Sequence, residues 1–345
     1  MLLNDQNAIP HPVLLEECVG LIAPALRNPG SVVVDCTLGL AGHACAVLAA
    51  APQAHLIGID RDAAALALAT ERIRDAGFAD RFTPVHAAFD QFGDVLAERG
   101  IAHVQASFMD LGLSSLQIDE TDRGFSYAHD SPLDMRMDTG QSLTARAVLA
   151  SYDVERLTWI FRTYGEERFA RPIARAIVRS REEEPLVSSG QLDRLVDGVV
   201  PRAHRAPGNP AKRVFQALRI EVNGELDKLA GTLPQIALHL AVGGRLVVES
   251  YHSLEDKTVK SFMNQGLHAD VPVGLPVIPD EDQPFFEPLT RGAIKADPRE
   301  LAINPRAASV RLRAVALRRP IPPRFIKRFT QAAQADDTYR AGIGR

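Results

Sequence analysis

Ser31-Val-Val-Val-Asp35-Cys-Thr37-Leu-Gly39-Leu-Ala41-Gly42-His43 is the stretch on which the fold turns. A β-branched run ends in a carboxylate, and a glycine turn leads straight into an alanine-rich segment of high helix propensity. An α/β protein opens a nucleotide pocket in this way, at the carboxyl end of its first parallel strand. Glycines let the backbone pass close to a ligand, and the carboxylate accepts hydrogen bonds. The pattern is not Gly-x-Gly-x-x-Gly and no Lys-Ser/Thr pair follows, which disfavours pyrophosphate and triphosphate ligands. A carboxylate beside the turn repels phosphate and suits a cationic ligand that bears hydroxyls.

Ala54-His-Leu-Ile-Gly-Ile-Asp60 is a second short apolar run that ends in an acid, 25 residues after Asp35. An acid at the end of strand two accepts the hydroxyls of an adenosine ribose. Together the two acids point to S-adenosylmethionine. Each of them alone also fits a turn residue or a helix cap.

Strands and helices alternate through residue 110, which predicts a parallel sheet covered on both faces. Strands are expected near 31–35, 55–60, 82–87 and 103–110, with helices near 42–51, 62–75 and 90–99 and a helix stop at Gly77. The fifth strand is Gly244-Arg-Leu-Val-Val-Glu249, about 134 residues beyond the fourth, far more than a crossover needs. The intervening chain reads as helices over 144–150, 154–164, 166–180 and 190–199. A long helix is predicted from Ala211, with Val214, Phe215, Leu218, Val222, Leu226 and Leu229 on one packing face. After strand five a proline-rich loop region runs over 272–298, and 309–317 alternates as a half-buried terminal strand. The fold class is therefore α/β, with one α/β domain made of 1–120 and 222–330. A helical domain is inserted at 121–221, and a tail that frays occupies 331–345.

The chain has 345 residues, 46% hydrophobic and 24% charged, as soluble globular proteins do. No stretch reaches the roughly 18 to 20 uninterrupted apolar residues that span a bilayer, and the amino terminus has no signal-peptide pattern. A cytoplasmic protein with no membrane partner is expected. Cys18, Cys36 and Cys45 lack metal-ligand spacing, so reduced thiols are expected and no metal. The net charge is −4, yet two long segments carry no acid. Gly198–Ile220 holds Arg202, Arg205, Lys212, Arg213 and Arg219; Leu301–Thr330 holds Arg306, Arg311, Arg313, Arg318, Arg319, Arg324, Lys327 and Arg328. Such blocks fit either a phosphate backbone or a solvated face balanced by acids elsewhere.

With these segments in place, the chain resembles the ribosomal RNA small subunit methyltransferase H family. The resemblance is carried by His11-Pro-Val-Leu-Leu-Glu16, Asp35 to His43, Asp110-Leu-Gly-Leu-Ser-Ser-Leu-Gln117, Arg123-Gly-Phe-Ser-Tyr127 and Pro132-Leu-Asp-Met-Arg-Met-Asp138. It continues through Tyr164-Gly-Glu-Glu-Arg-Phe-Ala170, Arg213-Val-Phe-Gln-Ala-Leu-Arg-Ile220, Ser250-Tyr-His-Ser-Leu-Glu-Asp256 and Asn304-Pro-Arg306. It implies a Rossmann-like class I methyltransferase with a mostly parallel sheet and an inserted all-helical domain. The implied reaction is methyl transfer from S-adenosylmethionine to the exocyclic N4 of a cytidine in the decoding region of 16S rRNA. The cofactor contacts it implies are Ala41, Gly42, His43, Asp60, Phe89, Asp110 and Gln117. Amides at a helix start can bind the methionine carboxylate, Asp60 the ribose, and Phe89 can lie beside adenine. Two positions depart from the family pattern. Ala41 stands where a second glycine is common, which tolerates close approach only if its φ is negative, and Leu116 stands where proline is usual.

Cytosine N4 is a weak nucleophile, so transfer needs in-line approach and an acceptor for the N4 protons. Asp110 is expected to accept from the amino group or to position the sulfonium, with Tyr251 or His252 stacking on or orienting the base. A loop-cap role is the alternative for Asp110. Arg123, Arg136, Lys212 and Arg213 are expected phosphate contacts, or else structural ion-pair partners. The expected partner is 16S rRNA in the assembled small subunit, and a homodimer is left open. Rival readings are a nicotinamide-dependent oxidoreductase on the same fold and a non-catalytic RNA-binding assembly protein. The missing third glycine and the lack of a hydride-relay pattern weigh against the first, and intact Asp35, Gly39, Gly42, Asp60 and Asp110 against the second.

Overall fold

The computed structural model describes residues 11–113, 117, 123–125, 130–202, 209–269, 271 and 278–332. The chain divides into two compact units, one made of residues 1–112 and 226–345 and the other of 113–225.

The first unit is built on a seven-stranded sheet of order β3-β2-β1-β4-β5-β7-β6. Its strands are β1 (Val32–Asp35), β2 (His55–Asp60), β3 (Phe82–His86), β4 (Val104–Asp110), β5 (Leu240–Ser250), β6 (Phe286–Pro288) and β7 (Arg311–Leu317). Strands β1 to β5 are parallel, β7 runs antiparallel to β5, and β6 is antiparallel to β7. The order reverses between β1 and β4, so their carboxyl ends frame the crevice where ligands of doubly wound sheets bind. This is the Rossmann-like class I methyltransferase sheet. Helices cover both faces: α1 (Leu15–Ile22), α2 (Gly42–Ala50) and α3 (Ala63–Asp75) pack with Val33 and Leu56 on one. On the other, α4 (Phe92–Ala97) and two later helices pack with Val34, Ile57 and Ile59. Adjacent residues of β1 thus point into opposite cores, which explains why the strand reads as one unbroken apolar run.

Local chemistry sets the helix ends. The Asp62 side chain caps α3 through the amides of Ala64 and Ala65. At its other end Gly77 takes φ +81°, with Phe78 N–H donating to Ile73 O and Gly77 N–H to Arg74 O, the paired bonds of a left-handed stop.

The second unit is helical. Helices α5 (Ala145–Ser151), α6 (Val154–Thr163), α7 (Ala170–Glu183), α8 (Ser189–Val199) and α9 (Lys212–Asn223) bury Leu149, Ile160, Phe161, Ile173, Ile177, Leu192, Val196, Val214 and Leu218. Asn223 accepts from Met137 N–H and donates to Met135 O, holding the Pro132–Asp138 segment against α9.

Three sequence expectations change. The single long helix from Ala211 is two, because Gly224 adopts φ 60°, ψ 33° and stops α9; Leu226 and Leu229 belong to α10 (Glu225–His239). The 309–317 segment is not a half-buried edge: Ala314 to Leu317 are all buried, since β7 lies between β5 and β6. Strand β6 and helix α1 have no counterpart in the sequence reading. Past β5, α11 (Ser253–Leu267), α12 (Pro298–Ile303) and α13 (323–332) complete the first unit. The expected fraying tail lies outside the described residues from 333 onward. No helix among the described residues is long and apolar enough to cross a membrane.

Candidate active site

The carboxyl ends of β1, β2, β4 and β5 bring Asp35, Asp60, Asp110 and Glu249 to one edge of the sheet. The glycine turn after β1 is fixed from both sides. Thr37 N–H donates to Asp35 Oδ1 at 3.1 Å, and Gly39 N–H donates to Asp60 Oδ2 at 2.8 Å. Asp60 Oδ1 accepts from Asp62 N–H at 2.8 Å, so this carboxylate braces two loops and keeps one lone pair on each oxygen for a ligand.

Ala41 departs from expectation. Its φ is +60° with ψ 26°, the left-handed conformation that glycine adopts without cost, so the condition for tolerating alanine here is not met. Its amide donates to Leu38 O at 2.8 Å and is not offered to an anion. No side chain caps α2. The amides of Gly42 and His43 are the pair that its first turn presents, where the helix dipole favours a carboxylate. Gly42 itself is required by close approach: a Cβ there would lie 2.4 Å from Pro12 Cγ. That contact explains the His11-Pro12-Val13 segment, which crosses the start of α2 and accepts the His43 ring at Val13 O, 2.9 Å.

Asp110 ends β4. Its amide donates to Thr37 Oγ1 at 2.6 Å, and its side chain, 31% exposed, has the Tyr251 hydroxyl beside it, which favours the ionised carboxylate. His43 Nδ1 stands 3.9 Å from Asp110 Oδ2, and His43 Nε2 stands 3.7 Å from Glu249 Oε2. Because Nε2 carries the proton it gives to Val13, Nδ1 faces Asp110 as a lone pair. Burial lowers the His43 pKa and keeps the ring neutral. Glu249 is opposite Asp110 in the β4–β5 register and wholly buried, with no hydrogen-bond partner for either oxygen among the described residues. Burial, reinforced by the Asp110 charge, pushes its pKa well up, so it is held as the neutral acid. Burial likewise raises Asp110, Asp60 and, to about 7, Asp35.

A set of acids whose ionisation is suppressed by burial and by one another is relieved by a cation. The donor set therefore fits S-adenosylmethionine: a sulfonium and an ammonium against carboxylates, a ribose against Asp60, and a carboxylate against the bare start of α2.

Other expected residues take different parts. His252 caps α11: its Nδ1 accepts from Glu255 N–H at 3.4 Å, and its Nε2 lies 3.0 Å from Glu255 Oε1. Glu255 Oε2 returns two bonds, to Tyr251 N–H and His252 N–H. With Nδ1 on the Glu255 amide and Nε2 buried without a hydrogen-bond partner among the described residues, His252 serves as the cap of α11. Tyr251 packs its ring on Gly112 and points its hydroxyl at Asp110, which makes it a positioning residue for that carboxylate. Phe89 is 9% exposed in the core beside β3. Gln117 is buried in the helical unit, and Leu116 lies outside the described residues.

The four expected phosphate contacts divide. Arg136 is spent on both oxygens of Asp134 and on Thr139 O and Gln141 O. Arg123 is spent on Arg136 O and Met137 O. These two build the helical unit. Lys212 and Arg213 are exposed, and Arg213 reaches Glu166 O at 3.2 Å. Much of the second basic block is also neutralised: Arg313 binds Asp256 with two bonds, and Arg324 pairs with Asp282. Arg205 lies outside the described residues.

Glu249 and the cluster Cys18, His43 and Glu249, whose ligand atoms lie within 4.8 Å of one another, escaped the sequence reading. Those residues are far apart in the chain, and only the packing of α1 and α2 beside β5 joins them.

The MraW methylase family matches residues 7–318. A protein of Bifidobacterium adolescentis named Ribosomal RNA small subunit methyltransferase H is 69% identical over 340 residues, covering 99% of each chain. Proteins of the same name are 71% identical in Bifidobacterium longum strain DJO10A, covering 96% of this chain and 92% of that one, and 54% identical in Beutenbergia cavernae, covering 92% and 95%. With a sheet of the right order, a cation-seeking pocket at its switch point and a match over nearly its full length, the chain belongs to the MraW methylase family.

Proposed function

We propose that this protein methylates the exocyclic N4 of a cytidine in the decoding (P-site) region of 16S rRNA, acting on the small ribosomal subunit in the cytoplasm. S-adenosylmethionine supplies the methyl group, bound to a sulfonium that makes it electrophilic. The names of the relatives, which specify small-subunit ribosomal RNA, support the substrate class. The amides of Gly42 and His43 hold the methionine carboxylate, Asp60 the ribose hydroxyls, and Phe89 borders the adenine side. Asp110 accepts a proton from the target amino group. Asp110 would take up the proton that the amino nitrogen gives up on methylation, which would keep the nitrogen lone pair available to the methyl donor. Tyr251 and Thr37 hold Asp110 in place.

The observation that carries this reading is a carboxylate at the end of β4, its main chain fixed by Thr37 and its side chain beside Tyr251 yet 31% exposed. The helical unit, with Gln117, Lys212 and Arg213, serves recognition of the RNA. The test is incubation with labelled methyl donor and small subunits that lack the mark, followed by mapping of the labelled nucleotide. Label at N4 of a decoding-region cytidine is expected; label at another atom or base, or none, overturns it.

A further inference from the structure

The run Arg168-Phe-Ala-Arg171-Pro-Ile-Ala-Arg175-Ala-Ile-Val-Arg179-Ser-Arg181 holds five arginines and no acid. Helix α7 sorts them. Ala170, Ile173, Ala174 and Ile177 form its buried face. Arg181 turns inward and donates to Leu149 O and Tyr152 O. Arg171, Arg175 and Arg179 follow one another at four-residue spacing on the opposite side, all exposed. That spacing sets three guanidinium groups along about 12 Å of helix. Among the described residues Arg171 has one carboxylate neighbour, Glu155 of α6 at 3.6 Å, an exposed pair that contributes little. Arg175 and Arg179 have no carboxylate neighbour among those residues.

The Glu155–Arg171 contact shows that the exposed face of α6 borders this stripe. One turn beyond Glu155 on that face stands Trp159, the only tryptophan of the chain, 42% exposed. Its ring is held by Arg156, 4.6 Å from its centroid, and by the edge of Tyr164 at 5.1 Å. Arg156 is fixed in turn by Glu221 at 2.8 Å. A large indole held rigidly in solvent, beside a row of uncompensated arginines, has no use in the packing of this unit. It matches what single-stranded nucleic acid requires: cations for the phosphates and a flat surface for a base.

We propose that the exposed faces of α6 and α7 form a docking surface for the ribosomal RNA substrate, with Arg171, Arg175 and Arg179 on its phosphates and Trp159 stacked on an unpaired base. This rests on the reading of the protein as a methyltransferase of small-subunit RNA. It replaces Arg123 and Arg136 as phosphate contacts.

Because Trp159 is the sole indole, its fluorescence reports this surface alone. The full chain is titrated with a protein-free 16S rRNA transcript at several salt concentrations. Quenching of Trp159 is expected. The triple variant Arg171→Gln, Arg175→Gln, Arg179→Gln should bind at least tenfold more weakly, and the slope of log affinity against log salt should fall by about 2, at about 0.7 per lost phosphate contact. Trp159→Leu, which has no indole and whose binding is read by retention of labelled transcript on a filter, should bind about tenfold more weakly without changing the salt slope. Affinity for S-adenosylmethionine, read by calorimetry, should stay at the wild-type value in both variants, which shows that they fold. RNA bound by the triple variant with wild-type affinity and slope, or without any change in Trp159 emission in the wild type, overturns the proposal. So does equal quenching by polyglutamate, which would mark a site for acidic polypeptides. A wild-type chain that neither binds the transcript nor methylates small subunits would instead bring down the methyltransferase reading itself.

Discussion

Asp110 and His252 lie on consecutive loops at the same sheet edge, and their surroundings give them opposite duties. The Asp110 carboxylate is 31% exposed, with Thr37 on its amide and the Tyr251 hydroxyl beside it. Asp110→Asn preserves size and the main-chain bond to Thr37 but cannot take a proton. We expect kcat to fall by about 10²- to 10⁴-fold while S-adenosylmethionine affinity changes far less. Steady-state methylation and calorimetry read the two quantities, and unchanged transfer removes Asp110 from the chemistry. Burial holds the Asp110 pKa above the usual carboxylate range, so the acid limb of kcat/KM should also lie above that range. His252 caps α11, its Nδ1 accepting from Glu255 N–H. Its replacement by alanine should cost about 1 kcal/mol of stability with kcat retained, and Asn, a good cap, should recover most of that loss. A His252→Asn variant that is stable but inactive would restore the base-orienting role expected from the sequence.

At the scale of elements, the loop between β1 and α2 stores strain that the sequence alone disguises. Ala41 in the left-handed region costs about 1 kcal/mol or more, and glycine would remove that cost while adding freedom to the unfolded chain. Ala41→Gly should therefore raise unfolding stability by about 0.5–1 kcal/mol, measured by urea denaturation with the m-value unchanged; a loss of stability would contradict the positive φ. The strand-turn-helix signal of 31–43 was legible because every part of it is local: β-branched residues, an acid, glycines, then alanines. Asp60 was legible for the same reason. The break at Gly224 was not, because the apolar spacing runs on from Val222 to Leu226 and a glycine within a helix is ordinarily tolerated. Strand β6 is three residues long and contains Pro288, so it exists only through its pairing with β7. Glu249 could be read as the end of a strand, but not as the neighbour of Asp110 and His43, since that depends on register. Arg123 and Arg136 looked like free cations because their acceptors are mostly backbone carbonyls, which composition does not reveal.

At the scale of the whole molecule, gathering Asp35, Asp60, Asp110 and Glu249 at one sheet edge sets how stability responds to pH. All four have pKa values raised by burial, Asp35 to about 7 from 3.8. A carboxyl with a raised folded-state pKa binds its proton more tightly in the folded chain than in the unfolded one. The folded state then holds the extra proton between the two pKa values, and stability falls as pH rises through that window. For Asp35 the window runs from about 4 to about 7, and its contribution is fully present below 4 and gone above 7. The slope is at most about 1.4 kcal/mol per pH unit for each group. Urea midpoints should therefore fall between pH 5 and pH 8 in the wild type. Asp35→Asn, which still accepts the Thr37 amide, should fall less over the same range. Equal falls in the two proteins would mean that Asp35 does not titrate in this window. The same charges make cofactor and protons compete: a cationic ligand favours the ionised acids, so it must release protons on binding. S-adenosylmethionine at 100 times its Kd adds about 2.7 kcal/mol to stability, and holding its concentration fixed while raising pH should increase that contribution, since its Kd falls as the acids ionise. Thermal midpoints with and without S-adenosylmethionine at pH 6 and pH 8 measure this directly. A larger shift at pH 8 is expected, and a larger shift at pH 6 would show that the cofactor meets neutral acids instead of carboxylates.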